Sequence, residues 1–146
     1  MNRGQLGLGF PEVLAVGAVL FVLALIAFPR LVMPTTILVQ VPARQLAADL
    51  RLAQRLAIAR HLDYVLEMSP TTSPYAQYSV HAMGGPVEPD FPRPFDAGVS
   101  VSGTAQFQFR SDGAAVAGGS VTLTSGGSTA VVQVIAATGR VTVTGP

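Results

Sequence analysis

Apolar and polar positions along this chain fall into three regimes. From Leu8 to Phe28 the residues are almost wholly apolar. Roughly twenty such residues suffice for a helix that crosses a ~30 Å hydrocarbon layer. From Ala43 to Leu62 the apolar positions recur at helical spacing, with Leu46, Leu50, Ala53 and Ala57 on one face, which predicts an amphipathic helix packed on a C-terminal sheet. Arg44, Arg51 and Arg55 line roughly the opposite side. Beyond His61 the period falls to two. Asp63 to Met68 alternates as a strand, Ser69 to Pro74 turns, and Tyr75 to Ala82 returns as its partner. The last fifty or so residues read as an antiparallel meander. Its strands are Val99 to Ser102, Ala105 to Arg110, Val121 to Thr124, Ala130 to Ile135 and Val141 to Thr144, with turns at Ser111-Asp112-Gly113 and Ser125-Gly126-Gly127-Ser128.

Prolines punctuate these regimes. Pro29 and Pro34 each remove a backbone donor and clash with the preceding turn, which predicts a kink or melted stretch over Pro29 to Thr36. Ile37 to Val41, β-branched at both ends, is read as extended, and Pro42 as the first turn of the helix that follows. Gly84 to Pro94 is a Pro-rich surface connection. Its Glu88 and Asp90, with Asp96, have the donor chemistry of a calcium site, but loop spacing alone does not make one, and no metal is assigned. The expected fold is α+β: a long N-terminal helix, transmembrane in its first half and amphipathic in its second, on a C-terminal antiparallel β-sheet. The segments are 1–7, 8–34, 35–62 and a β-rich head over 63–146.

Composition sharpens the membrane reading. Hydrophobic residues make up 49% of the chain and charged ones 12%, too apolar for a purely soluble small domain. The net charge of +1 gives no nucleic-acid footprint. The absence of Cys excludes disulfides, thiolate-bound zinc and a thiol nucleophile. A secretory signal peptide would need a basic n-region and a small-x-small cleavage site after its apolar core. Here the core ends in Ala27-Phe28-Pro29-Arg30-Leu31 and is preceded by an acid.

That acid is the informative residue. An ionised side chain inside hydrocarbon costs about 2.5–3.5 kcal/mol, so Glu12 calls for a partner. Gly7 lies five residues before it, behind a short segment that contains Arg3. This arrangement resembles the leader of type IV pilins and pseudopilins: a short basic leader ending in Gly, a hydrophobic first residue, Glu at the fifth position and an unbroken apolar helix. The resemblance implies that a prepilin peptidase cuts after Gly7 and methylates the amine of Leu8. It also implies that Glu12 meets such an amine on a neighbouring subunit, which sets axial register through a buried ion pair. The chain departs from the family in reading Leu8-Gly9-Phe10-Pro11-Glu12 where Phe followed by Thr-Leu-Ile-Glu is usual; cleavage after Gly9 would put Phe10 first but leave Glu12 third.

Further on, the run Asp49-Leu50-Arg51-Leu52-Ala53-Gln54-Arg55-Leu56-Ala57-Ile58-Ala59-Arg60, the segment Phe107-Gln108-Phe109-Arg110-Ser111-Asp112-Gly113, and Gly139-Arg140-Val141 are similar to the minor pseudopilins of the general secretion protein H type and to FimT-type minor pilins. That likeness covers nearly the whole chain. It implies a non-catalytic minor subunit that primes or tips a pilus or a type II secretion pseudopilus, with no cofactor. The implied partners are other pilin subunits, the prepilin peptidase, an inner-membrane assembly platform and, before assembly, membrane lipid. The N-terminus would lie inside and the head outside.

Enzyme chemistry finds no support in the motifs. His61 and His81 are the only histidines and lack a matching ligand cluster, and no nucleophile elbow or phosphate loop occurs. The competing function is DNA capture for natural transformation, through Arg44, Arg51, Arg55, Arg110 and Arg140 on phosphates. Some FimT-type proteins carry a second arginine two residues after the one in Gly-Arg; that position here is Thr142.

Overall fold

The computed structural model describes residues 9–27 and 35–145. The expected leader, Leu8, Pro29 and Pro34 lie outside the described residues; of the stretch expected to kink or melt, Thr35 and Thr36 are described and are helical. The chain divides into two compact units, Met1–Met33 and Pro34–Pro146.

In the first unit, helix α1 spans Phe10–Ala27. The Gly9 carbonyl accepts hydrogen bonds from the amides of Glu12 (2.9 Å) and Val13 (3.2 Å) and so starts the helix. Pro11 sits in the first turn, where its missing N–H would have had no intrahelical acceptor. Side chains from Phe10 to Ala24 are all exposed. Among the described residues no helix is long and apolar enough to cross a membrane; the span expected over 8–28 takes in residues outside them.

The second unit is built on helix α2, Thr35–Arg60. The helix starts earlier than its proline suggested: Ile37 to Val41 is helical and Pro42 lies in the interior. An interior proline costs about 3 kcal/mol. The apolar stripe explains why the helix persists, because Val39 and Ala43 continue the spacing of Leu46, Leu50, Ala53 and Ala57 upstream, and all six are fully buried. At the other end His61 takes a left-handed conformation (φ 54°), and the Leu62 amide reaches back to the Ala57 carbonyl at 3.3 Å. This is a Schellman stop, made here without the usual glycine.

The β-rich part consists of strands β1 Tyr64–Ser69, β2 Gln77–Ala82, β3 Arg93–Pro94, β4 Ser100–Gly103, β5 Gln106–Phe109, β6 Gly119–Ser125, β7 Ser128–Val134 and β8 Val141–Thr144. They form two four-stranded sheets, ordered β3-β2-β1-β5 and β4-β6-β7-β8, and all named pairings are antiparallel. The single meander expected over the last third is therefore corrected. β5 leaves its sequence neighbour and pairs with β1, setting Phe107 opposite Leu66 and Phe109 opposite Tyr64, while β4 pairs with β6. The chain changes sheet at Gly103 (φ 122°), where a Cβ would overlap the Ser120 carbonyl. Alternation specifies which side chains face inward, but not which strand lies alongside.

Both sheets turn their apolar faces to one core, with Tyr64, Leu66, Met68, Phe107 and Phe109 from the first and Val101, Val121, Leu123, Val132 and Val134 from the second. The stripe of α2 belongs to the same cluster. Because a Cβ in the left-handed region is strained, His61→Gly is expected to stabilise this unit by about 0.5–1 kcal/mol. The expected readout is a higher urea midpoint at unchanged slope; a lower midpoint would assign the imidazole a stabilising contact worth more than the strain.

Candidate functional site

The candidate residues fall in two places. Glu12 lies in the first turn of α1, beside the helix amides whose partial positive charge favours an anion. Gly7 and Leu8, expected to be cut and methylated, lie outside the described residues.

The arginines belong to the second unit. Arg44, Arg51 and Arg55 are exposed on α2, on the side away from the core stripe. They are not equivalent. The Arg51 guanidinium donates to the Val141 carbonyl at 3.0 Å and fastens the helix to β8, whereas Arg44 among the described residues makes a long 3.5 Å contact with Gln40. Between Arg51 and Arg55 stands Gln54, whose amide donates to the Gly113 carbonyl at 2.7 Å and the Thr138 carbonyl at 3.3 Å. One helical side chain thus holds both turns next to which Arg110 and Arg140 sit. Gly139 is required at this junction: its φ is 63°, and a Cβ would fall on the Gly113 carbonyl and on Gln54. The structure therefore brings the Asp112-Gly113 and Gly139-Arg140 motifs to one place on the helix, next to Arg51 and Arg55.

Three clusters that the spacing did not single out anchor this arrangement. Asp49 is the only buried charged residue among those described, 4% exposed. Its carboxylate accepts from the Tyr78 hydroxyl at 2.6 Å and from Gln45 at 3.3 Å, and pairs with Arg93 at 3.3 Å. Burial, then the hydrogen bond and negative charge of Asp49, push the Tyr78 phenol well above its ordinary pKa. At the end of α2, Arg60 donates to the Tyr64 hydroxyl at 2.6 Å and pairs with Glu88, to which Tyr64 also donates at 2.7 Å. The Glu88 charge raises the Arg60 pKa, and burial followed by the bond to Glu88 raises that of Tyr64. Asp63, immediately before β1, accepts from the Gln108 amide and from the Ser111 backbone N–H.

These contacts settle the fate of several residues with possible chemistry. Glu88, weighed as a calcium donor, is committed to Arg60 and Tyr64. Among the described residues no three His, Cys, Asp or Glu side chains gather to hold a metal ion. His61 caps a helix, and His81 faces Glu67 across the β1–β2 pair with its Nε2 at 3.6 Å. The sequence did carry a signal for Asp49, since it stands three residues after Leu46 and four before Ala53, on the buried side of the helix.

Comparison with known proteins agrees with this architecture. The family model for the type II transport protein GspH matches residues 42–139. No curated protein sequence matches the chain. Among solved structures, the type IV minor pilin FimU of Pseudomonas aeruginosa superposes with a TM-score of 0.58 at 17% identity, over 74% of this chain and 92% of that one. The minor pseudopilin EpsH from the type 2 secretion system of Vibrio cholerae superposes with a TM-score of 0.57 at 14% identity, over 73% and 96%. At such identities the likeness is one of fold.

The buried phenol of Tyr78 gives an alkaline test. Its folded pKa lies above the unfolded value, so above about pH 10 the unfolded state releases a proton that the folded state keeps, and stability falls as pH rises. Tyr78 is expected to contribute a loss of about 1.4 kcal/mol per pH unit in that range. Urea unfolding at successive alkaline pH values should show a shallower decline for Tyr78→Phe than for the native chain, and equal slopes would refute the assignment.

Proposed function

The chain belongs to the GspH family of type II transport proteins, and from that membership we propose that it is a non-catalytic minor pilin or pseudopilin subunit of a type IV pilus or type II secretion pseudopilus. The observation that carries this reading is the joining of two features in one chain. The GspH match and pilin-like fold cover the C-terminal unit, and the N-terminal unit offers a helix that exposes its apolar side chains from Phe10 to Ala24, with one acid in its first turn.

In this reading a prepilin peptidase cleaves after Gly7 and methylates the new amine of Leu8. The amine is cationic near neutral pH, and in a low-dielectric helix bundle it attracts the Glu12 carboxylate of the adjacent subunit. Either charge alone resists burial, so the pair favours one axial height over the others. Before assembly the subunit is a single-pass inner-membrane protein with its N-terminus inside; afterwards it takes a priming or tip position in the filament. Its partners are other pilin subunits, the prepilin peptidase and the assembly platform.

Two measurements test this reading. Mass spectrometry of the mature chain is expected to find a methylated Leu8 at the N-terminus, and an intact Met1 would sink the proposal. Glu12→Gln and Glu12→Ala are each expected to lower incorporation into filaments about tenfold or more, the factor that ~1.4 kcal/mol of lost pairing gives; undiminished incorporation would remove the register role.

A second reading, a DNA-binding minor pilin of a competence pilus, draws support from the junction at Gln54, where the turns next to Arg110 and Arg140 meet the helix between Arg51 and Arg55. Thr142, in place of a further arginine, counts against it. Phosphate contacts release counterions, so a receptor would show a gel shift at low salt that weakens steeply as salt rises. A full chain in detergent that shifts no DNA at low salt would eliminate this reading.

A further inference from the structure

A strand at the end of a sheet leaves every second residue with its N–H and C=O pointing outward, and natural proteins close such edges. Three of the four edge strands described here are closed. β3 is two residues long and consists of an arginine and a proline, which supply a charge and remove a donor. The outward carbonyls of β4 are taken by Tyr75, whose amide donates to Val101 and whose hydroxyl donates to Gly103. Along β5 the chain folds back on itself, with the Val116 amide on the Gln108 carbonyl and the Arg110 amide on the Ala114 carbonyl. β8 is different. Its four residues include no charge and no proline, and β7 is its only neighbour in the sheet.

The register states which groups of β8 face outward. Ser125 and Ser128 flank a two-residue hairpin turn, so they form a hydrogen-bonded pair. Bonded and non-bonded pairs alternate along a ladder, which turns the main-chain groups of Val132 and Val134 toward β6 and those of Val131 and Gln133 toward β8. The bond from the Ile135 amide to the Arg140 carbonyl has the same phase. Thr142 and Thr144 therefore bond to β7, and the main-chain groups of Val141 and Val143 face away from it. Arg51 occupies the Val141 carbonyl. The outward N–H and C=O of Val143 have no partner among the described residues.

This open edge borders a pocket of about 120 Å³ lined by Gln40, Arg44, Ala130, Val143 and Gly145. Arg44 is the only charged group in that lining. Its long 3.5 Å contact with Gln40 leaves most of its five donors available. A guanidinium matches a carboxylate through two parallel N–H···O bonds. Arg51 stands seven residues further along α2, about 10 Å away, and closes the edge at Val141. What stays open is therefore short and has a cation beside it, which suits the end of a chain and not a strand passing through.

We propose that this edge receives the C-terminal end of an extended peptide, which pairs with the N–H and C=O of Val143 and sets its terminal carboxylate on Arg44. Main-chain bonds hold the strand, and the carboxylate fixes where it ends. The apolar surface of Ala130 and Val143, in a pocket of this size, selects a small apolar last residue. Each chain offers one such edge and binding fills it, so the contact is one to one and does not propagate. The proposal rests on the C-terminal unit and draws on neither Glu12 nor processing.

The full chain in detergent is titrated with a set of short peptides labelled at the N-terminus and varied in their last three residues, each made as the free acid and as the C-terminal amide. Free acids that end in small apolar residues are expected to bind saturably and to shift the Val143 amide signal in the NMR spectrum, and their amides to bind at least tenfold more weakly. Arg44→Gln should weaken binding at least tenfold. Val143→Pro removes the outward N–H and spares the bonds of Thr142 and Thr144 to β7, so it should abolish binding. Arg44→Gln, at an exposed site, carries the test if the proline disturbs the strand. Binding by no free acid, equal binding of acids and amides, an unmoved Val143 signal, or full displacement by inorganic phosphate at the peptide's own concentration would overturn the proposal.

Discussion

The C-terminal unit depends on one stripe of α2. Val39, Ala43, Leu46, Leu50, Ala53 and Ala57 are fully buried, and the helix contacts β1, β2 and β5 of the first sheet and β6, β7 and β8 of the second. No strand pairing among the described residues joins the two sheets, so the helix and the side chains beneath it bridge them, helped by the bond from the Tyr75 amide to the Val101 carbonyl at 2.9 Å. Three of those six residues are alanines. Small residues let the helix backbone approach both sheets closely, and the aromatic volume of Tyr64, Phe107 and Phe109 fills the first sheet's share of the core. Each fully buried leucine contributes about 1.5–3 kcal/mol, so Leu46 and Leu50 together roughly offset the ~3 kcal/mol cost of Pro42.

The polar contacts secure what this stripe leaves undetermined. A Pro-rich segment from Gly84 to Pro94 has no regular structure until Arg93, yet two pairs tie it to α2: Glu88 to Arg60 near the helix end and Arg93 to Asp49 in the middle. Asp49 is the costlier device, because a buried carboxylate must have its hydrogen bonds met. Tyr78, Gln45 and Arg93 meet them, and no buried side-chain polar atom among the described residues lacks a partner. On the other side, Arg51 and Gln54 bind main-chain carbonyls of β8 and of two turns. The helix thus acts as the common attachment for loops as well as sheets. This use of its polar residues explains why the arginines that line the side opposite the apolar stripe prove unequal.

How much of this was legible depended on which constraint each segment answers to. The helical period of Leu46 to Ala57 and the alternation in β1, β2, β6, β7 and β8 reflect burial, which composition displays directly. Partner choice is not displayed. Phe107 and Phe109 look the same in sequence whether β5 lies beside β4 or beside β1, and the pairing with Tyr64 and Leu66 is a tertiary fact. Pro42 misled for a related reason: local preference places proline in a first turn, and six buried positions outweighed that preference. Asp49 is visible in the sequence as an acid at a core spacing, but its partners Tyr78 and Arg93 are not. Glu88 was placed in a loop, but the reach of Arg60 and Tyr64 to it is a tertiary fact. Of the candidate site, the arginines were found by type; their sorting into anchors and free cations needed the fold.

Glu12 occupies a helix position that already favours an acid. With the Gly9 carbonyl accepting the first helical bonds, its carboxylate lies within the first turn, where the helix amides offer about 0.3–1 kcal/mol to an exposed negative charge. A local explanation is therefore available, and it would suffice for a helix that begins in water. It does not suffice for one whose first turn enters hydrocarbon. At the middle of such a layer an ionised carboxylate costs about 2.5–3.5 kcal/mol, more than the helix end supplies. Every other residue of α1 is uncharged, so nothing on the helix itself makes up the difference. An opposite charge from outside it must, and the α-amine that the proposed processing would release is a cation of the right sign to do so.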